Sequence, residues 1–345
     1  AIHSIGVKLD GVVLVATESS GFARLRQDGT VMASGGAAGS AAPTDQGTVV
    51  AVTSNGDTWL GTRGGLGWSP AGSSDTTWIG NGTEEEGVLP HQAVYSVFED
   101  ATGVIWVGTW AGLARLSPFY SALSFIPRPD VPGIGPGGGI VAMLPDGPDA
   151  LLTGSLGGLL ATVTTKGEAT HRAIPGAPEF GADIFSLARE RDGTLWVATN
   201  GRGMHRRDAD GWRAYRAGSD GAGSAPDDRV AAIHVDRAGT VWAGTMLSGL
   251  AVYDRDQDRF RTFELSDAAL PEPYVWPIRE DPGGGLWFAA NGPAGGIHYL
   301  DPDRVRLDFF DTSGENDEIP NAGRILTLAL SGDTVVWFGT QGGGL

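Results

Sequence analysis

The chain has no cysteine, which excludes thiolate chemistry and disulfide staples and suits the cytoplasm or a bacterial periplasm equally. It is also short of positive charge: 24 Lys and Arg against 41 Asp and Glu give a formal net charge of −17. That balance argues against nucleic acid as a partner, because phosphates demand a basic face, and it disfavours an anionic membrane surface. No apolar run approaches the ~18 residues of a membrane helix. The opening Ala1-Ile-His-Ser has no signal-peptide character, and sustained helical periodicity is missing. What is abundant is glycine, at 55 residues, with 20 prolines. Apolar residues still make up 41%, so these residues point to many tight turns rather than disorder.

The turns have a rhythm. Gly103–Leu116 reads GVIWVGTWAGLARL, an alternating strand, a break, and a second alternating strand. This predicts a β-hairpin whose first strand ends at Thr109, with the loop Trp110-Ala111-Gly112. The text recurs around Trp59, Trp196, Trp242, Trp287 and Trp337, and in two weaker copies with Leu14 and Leu152 in place of Trp. Successive anchors are 45, 47, 46, 44, 46, 45 and 50 residues apart. A fixed period of 40–50 residues holding only strand patterns indicates a β-propeller, one four-stranded blade per repeat. Seven blades are expected, with eight as the alternative, in a single propeller domain spanning 1–345. The chain stops inside a hairpin at Gly344-Leu345, as a fragment of a longer chain would.

Overlaying the repeats assigns four strands per blade. Strand A runs into an Asp-x-x-Gly turn, strand B is the Trp-Val-Gly-Thr run, strand C follows Gly-Leu, and strand D has the Arg259-Phe-Arg-Thr-Phe263 type. Antiparallel order puts the A–B and C–D turns at one end and the B–C and D–A loops at the other. The A–B turns are nearly uniform, whereas the B–C and D–A loops differ in content, so function is expected at the B–C/D–A end. The repeated Trp is read as core between blades, and the Gly after it as permitting close blade-to-blade approach.

The unit Asp-x-x-Gly-x-x-Trp-Val-Gly-Thr-x-x-Gly-Leu-x-x-x-Asp resembles the two-component regulator propeller repeat. The clearest copy is Asp236 through Asp254, and the likeness covers essentially the whole chain. It implies an all-β seven-bladed unit, similar to the periplasmic sensor regions of bacterial hybrid histidine kinases and diguanylate cyclases. A small polar or oligosaccharide ligand, covalently linked downstream signalling domains and a homodimer through other segments belong to that expectation. Repeats 1 and 4 depart from the pattern by losing the Trp. A Trp-Asp dipeptide is missing, which counts against the WD40 class. The Trp-Phe pairs at Trp287-Phe288 and Trp337-Phe338 share the flavour of streptogramin-lyase-like propellers.

Chemistry-bearing motifs are few. Asp254, Asp256 and Asp258 have calcium-loop spacing, but Arg259 stands where the loop needs Gly and Leu265 where it needs Glu. Gly133-Ile-Gly-Pro-Gly-Gly138 spells GxGxxG without a helix to follow. Glu84-Glu85-Glu86 reads as a solvated loop, and His205, His234 and His298 as packing. No catalytic residue, metal or cofactor is expected. The ligand-binding candidates on the variable end are Trp110, Trp276, Tyr274, Arg63, His91, Arg202, Met246, Asn291, Arg229 and Arg324, with Asn321 and Met204 nearby. Aromatic rings there would stack on an apolar ligand face, while Arg and Asn bond its oxygens. The alternative for Trp110 and Trp276 is that they plug the channel or pack between loops. His91 could serve as a general base, which keeps a lyase or glycosidase as the enzymatic alternative. A protein-interaction platform is the third reading.

Overall fold

The computed structural model describes residues 1–35, 44, 46–73, 75–80, 89–116, 123–127, 138–164, 168–171, 182–265, 272–292, 295–312, 324–331 and 335–341. These are all strand and turn, with no helix. Seven four-stranded antiparallel sheets follow in order at 2–35, 47–79, 94–127, 140–171, 184–215, 230–262 and 274–311. We call them blades 1 to 7. Each is a meander in which sequence neighbours pair, so the protein is a seven-bladed β-propeller. Strands Ile325–Ser331 and Val335–Thr340 form a further two-stranded sheet, which accounts for the eighth copy of the hairpin. Glu84–Glu86, Asn321 and most of the GxGxxG stretch lie outside the described residues.

The chain divides into two compact units. The first, 1–156 with 160–172, contains blades 1 to 4. The second, 157–159 with 173–345, contains blades 5 to 7 and the two-stranded sheet.

In the first unit, strand B of blades 1 to 3 packs under the next blade. Trp59 is buried with Ile105, Val107 and Ala114, and Trp106 with Leu151 and Val163. Leu14 and Leu152 are buried in the Trp position of their own blades. In the second unit, Trp196 lies beneath Tyr253 and Phe260 of the following blade, and Trp242 beneath Leu286, Phe288 and Leu300. A fully buried Trp removes ~150–250 Å² from water, an upper bound of ~4–6 kcal/mol. Trp287 and Trp337 are only half-buried. The two-stranded sheet that follows blade 7 brings Val336 and Phe338 against Trp287 but has no strand C or D among the described residues to finish the cover.

The motif glycine behaves as expected. A Cβ on Gly108 would stand 2.8 Å from the Ile140 carbonyl oxygen of the next blade, and one on Gly244 would collide with the Val275 carbonyl. Serine and threonine hydroxyls complete these seams: Thr48 Oγ1 donates to Val94 O at 2.6 Å and Ser96 Oγ to Ile140 O at 2.9 Å.

The Asp of the A–B turn has a second task beyond the turn. Trp106 Nε1 donates to Asp100 Oδ2 at 2.8 Å, Trp196 Nε1 to Glu190 Oε1 at 2.7 Å, and Trp287 Nε1 to Asp281 Oδ2 at 3.2 Å. The other oxygen of Asp100 accepts turn N–H groups at Thr102 and Val104. Sequence spacing of six residues between acid and Trp thus reflects one buried donor finding one acceptor. In the second unit, arginines from the next blade join the same acids: Arg304 reaches Asp236 at 2.9 Å, and Arg255 binds Glu190.

Candidate functional site

The B–C/D–A end of every blade is built on one backbone frame. Strand A always carries a β-bulge at its start, opposite the end of strand B. The extra residue lies eleven positions before the anchor in each repeat: His3, Thr48, Tyr95, Val141, Phe185, Ala231, Trp276 and Leu326. Four positions after the anchor, the backbone N–H bonds the residue preceding strand A, as in Arg63 to Gln46, Trp110 to Ala93, Asn200 to Asp183 and Met246 to Arg229, all 2.9–3.2 Å. Asn291 holds the same place in blade 7, paired with Tyr274. Backbone at these positions is constant while the side chains vary, which is how bulges re-aim side chains without disturbing a sheet.

In the first unit, Trp110 and Tyr95 form the aromatic feature. Their ring centroids are 5.8 Å apart and tilted by 42°, and Trp110 is 37% exposed. Tyr95 leans over Gly139 of the next blade, where a Cβ would come within 2.9 Å of its ring. Trp110 and Ala111 alone make the loop, since Gly112 already pairs with Thr109. Arg63 is exposed. His91 is half-buried, and its Nδ1 accepts the Ala93 N–H at 3.0 Å. In the neutral ring this leaves a proton on Nε2, so its lone pair is engaged in the turn rather than free to act as a base.

In the second unit, the loops are stitched into a continuous arc. Asn200 bridges Arg229, Met246 N–H meets Arg229 O, and Gly249 N–H meets Pro273 O at 2.8 Å. Asn291 is a joint rather than a free group: its Nδ2 donates to Trp276 O at 2.7 Å, and its Oδ1 accepts from Ile325 N at 2.6 Å. Trp276 lies within strand A (Tyr274–Glu280), joined to Pro277 by a cis peptide bond and half-buried against the core of blades 6 and 7. Arg324 lies over the Tyr274 ring, 4.8 Å from its centroid. Burial pushes the Tyr274 hydroxyl above its ordinary pKa, with Arg324 opposing the shift. Met246 and Arg202 are half-exposed and Arg229 exposed, while Met204 is buried.

Sequence reasoning missed Tyr95 and Phe185. The signal was available, because both sit eleven residues before a Trp anchor, the same offset as Trp276. It also weighed Asp258 only for its calcium-loop spacing. Asp258 Oδ1 accepts from Tyr215 Oη at 2.6 Å and Tyr253 Oη at 2.5 Å, and its Oδ2 accepts from Arg213 at 2.8 Å. No group of residues able to hold a metal occurs among the described residues.

Residues 88–111, running from the approach to blade 3 through Trp110, match the family "two component regulator propeller". The chain therefore carries, over these residues, the repeat that its Trp-Val-Gly-Thr unit resembles. No curated protein matches it. Solved structures similar to it include two extracellular domains from B. thetaiotaomicron. One, from a putative one-component system, is 19% identical with a TM-score of 0.56, over 98% of this chain and 44% of that one. The other, from a putative hybrid two-component system, is 15% identical with a TM-score of 0.61, over 98% of this chain and 50% of that one. This chain thus spans about half the length of either. Virginiamycin B lyase from Staphylococcus aureus, solved with quinupristin, is 14% identical with a TM-score of 0.54, over 98% of this chain and 91% of the lyase. These likenesses establish the fold. No helix among the described residues is long and apolar enough to cross a membrane.

Proposed function

We propose that this propeller is the extracytoplasmic, periplasmic ligand-sensing region of a bacterial two-component-type signalling protein, itself non-catalytic. It binds a small polar or oligosaccharide ligand through its B–C and D–A loops and is linked covalently to downstream signalling domains. The observation that carries this reading is the constant backbone frame beneath variable side chains at one end of the blades. A surface selected only for stability would repeat there as the acid–Trp pairs repeat at the other end. The two-component regulator repeat and the extracellular sensor domains among its structural relatives support the assignment. Tyr95 with Trp110 offers a tilted aromatic platform of the kind a sugar ring stacks on.

The test is a thermal-shift screen against oligosaccharides, sugar acids and amino acids, with the compounds followed by mass spectrometry. A ligand specific for the folded state at ~100 times its dissociation constant adds about 2.7 kcal/mol. Stabilisation with the compound recovered intact supports the sensor. Consumption of the compound would transfer the protein to the lyase class, and silence across a broad panel would count against ligand sensing.

A further inference from the structure

Arginines at the two ends of the second unit have different surroundings. Toward the A–B and C–D turns, Arg206, Arg213, Arg255 and Arg304 all bind carboxylates. On the loop arc, Arg202 and Arg229 pair with no carboxylate among the described residues, in a chain where acids outnumber bases 41 to 24.

Their positions are fixed by backbone. Arg202 sits between Gly201 and Gly203, whose φ angles of 97° and 66° suit glycine. The N–H groups of both glycines donate to Asp228 O, at 2.9 and 2.7 Å. Asp228 directly precedes Arg229, so the two arginines stand on adjoining, mutually bonded loops. The acids beside them are turned away. Both oxygens of Asp228 are held by Arg216, at 2.9 and 3.1 Å, and Oδ1 also accepts the Ala217 N–H. Asp227 is buried and accepts the N–H groups of Arg229 and Leu247. Asp183 Oδ1 accepts the Gly157 N–H. The loop thus pairs Asp228 with Arg216, engages Asp227 and Asp183 in backbone N–H bonds, and leaves two guanidinium groups with no carboxylate partner among the described residues.

Resting on the sensor reading above, we infer that Arg202 and Arg229 form a subsite within the second unit that receives an oxyanion, a carboxylate or a sulfate ester on a saccharide. Guanidinium forks match either group by paired N–H donors.

Isothermal titration of the 345-residue chain with tetragalacturonate, a sulfated galactose tetramer and neutral galactotetraose tests this. At least one anionic probe should bind tenfold or more tightly than the neutral one, with affinity falling as salt rises. Which anionic probe binds better distinguishes carboxylate from sulfate. Arg202→Gln with Arg229→Gln should erase the preference. Arg207→Gln with Arg261→Gln, an equal charge change on strands C and D, should preserve it, and melting curves confirm that both variants fold. Equal binding of neutral and anionic probes, or an unchanged preference in the Arg202/Arg229 variant, overturns the inference and leaves the sensor reading standing. Binding of no probe overturns it as well, and silence across the broader panel removes the sensor reading too.

Discussion

Trp242 Nε1 donates to Asp236 Oδ2 at 2.9 Å, and Arg304 of the next blade donates to that same oxygen while lying over the Trp242 indole. One carboxylate therefore closes its own A–B turn, satisfies the buried indole and ties two blades together. Burial alone would raise the Asp236 pKa, but the bonds from Trp242, Arg304 and Thr240 outweigh it and hold the carboxyl below its ordinary value. Removing a partner from such a buried pair costs about 3 kcal/mol or more. Asp236→Ala should lower the melting temperature clearly, whereas Asp192→Ala, at an exposed turn position, should have a small effect.

That depressed pKa has a direction in pH. A carboxylate held low when folded stabilises above its unfolded pKa, and the contribution disappears as pH falls through the folded value. Asp100, Asp236 and Asp258 are all held below the ordinary aspartate value of 3.8. Acid unfolding from this source therefore belongs below about pH 4, and Asp236→Asn should flatten the melting curve only in that range.

His298 acts at milder pH. It is buried, stacked on Phe288 with centroids 5.1 Å apart, and burial pushes its pKa down to about 4 from 6.5. A histidine held neutral when folded stabilises above its unfolded pKa and loses that contribution as pH falls toward the folded one. The loss between pH 7 and pH 5 is about 2 kcal/mol. His298→Phe should melt higher than the parent at pH 5, with the difference shrinking at pH 7.

At the blade seam, Gly244→Ala should destabilise by about 1–3 kcal/mol, because its Cβ meets the Val275 carbonyl and the next blade must shift. The reverse change at the matching position of blade 5, Ala198→Gly, removes a buried methyl and should cost less. Chemical denaturation of both variants compares them directly.

Trp110→Ala separates binding from folding. Its ring is partly exposed and touches Tyr95, so stability should change by about 1 kcal/mol or less. Affinity for a neutral saccharide found in the screen, read by titration, should fall at least tenfold. An unchanged affinity would move the site off the first unit.

The fold was legible because its information is local and repeated. Trp-Val-Gly-Thr fixes strand B, the Asp-x-x-Gly turn fixes the strand before it, and the spacing between anchors counts the blades. Side-chain fate at the variable end was less legible. Asn291 reads as a free polar group, yet both ends of its amide serve backbone atoms that sequence spacing does not bring together. Trp276 reads as a residue just after a D–A loop, and it lies inside strand A, half-buried against the core of blades 6 and 7. Half-burial of Trp287 and Trp337 depends on what the neighbouring sheet provides, which no motif within their own repeats records.

The recurrent bulge has one more consequence. Since each blade presents its variable residues from the same kinked backbone, exchanging one side chain leaves the scaffold of the others in place, and changes at well-separated blades add nearly independently. On the proposed sensor reading, ligand preference is retuned by single substitutions, blade by blade, without the sequence having to solve its folding problem again.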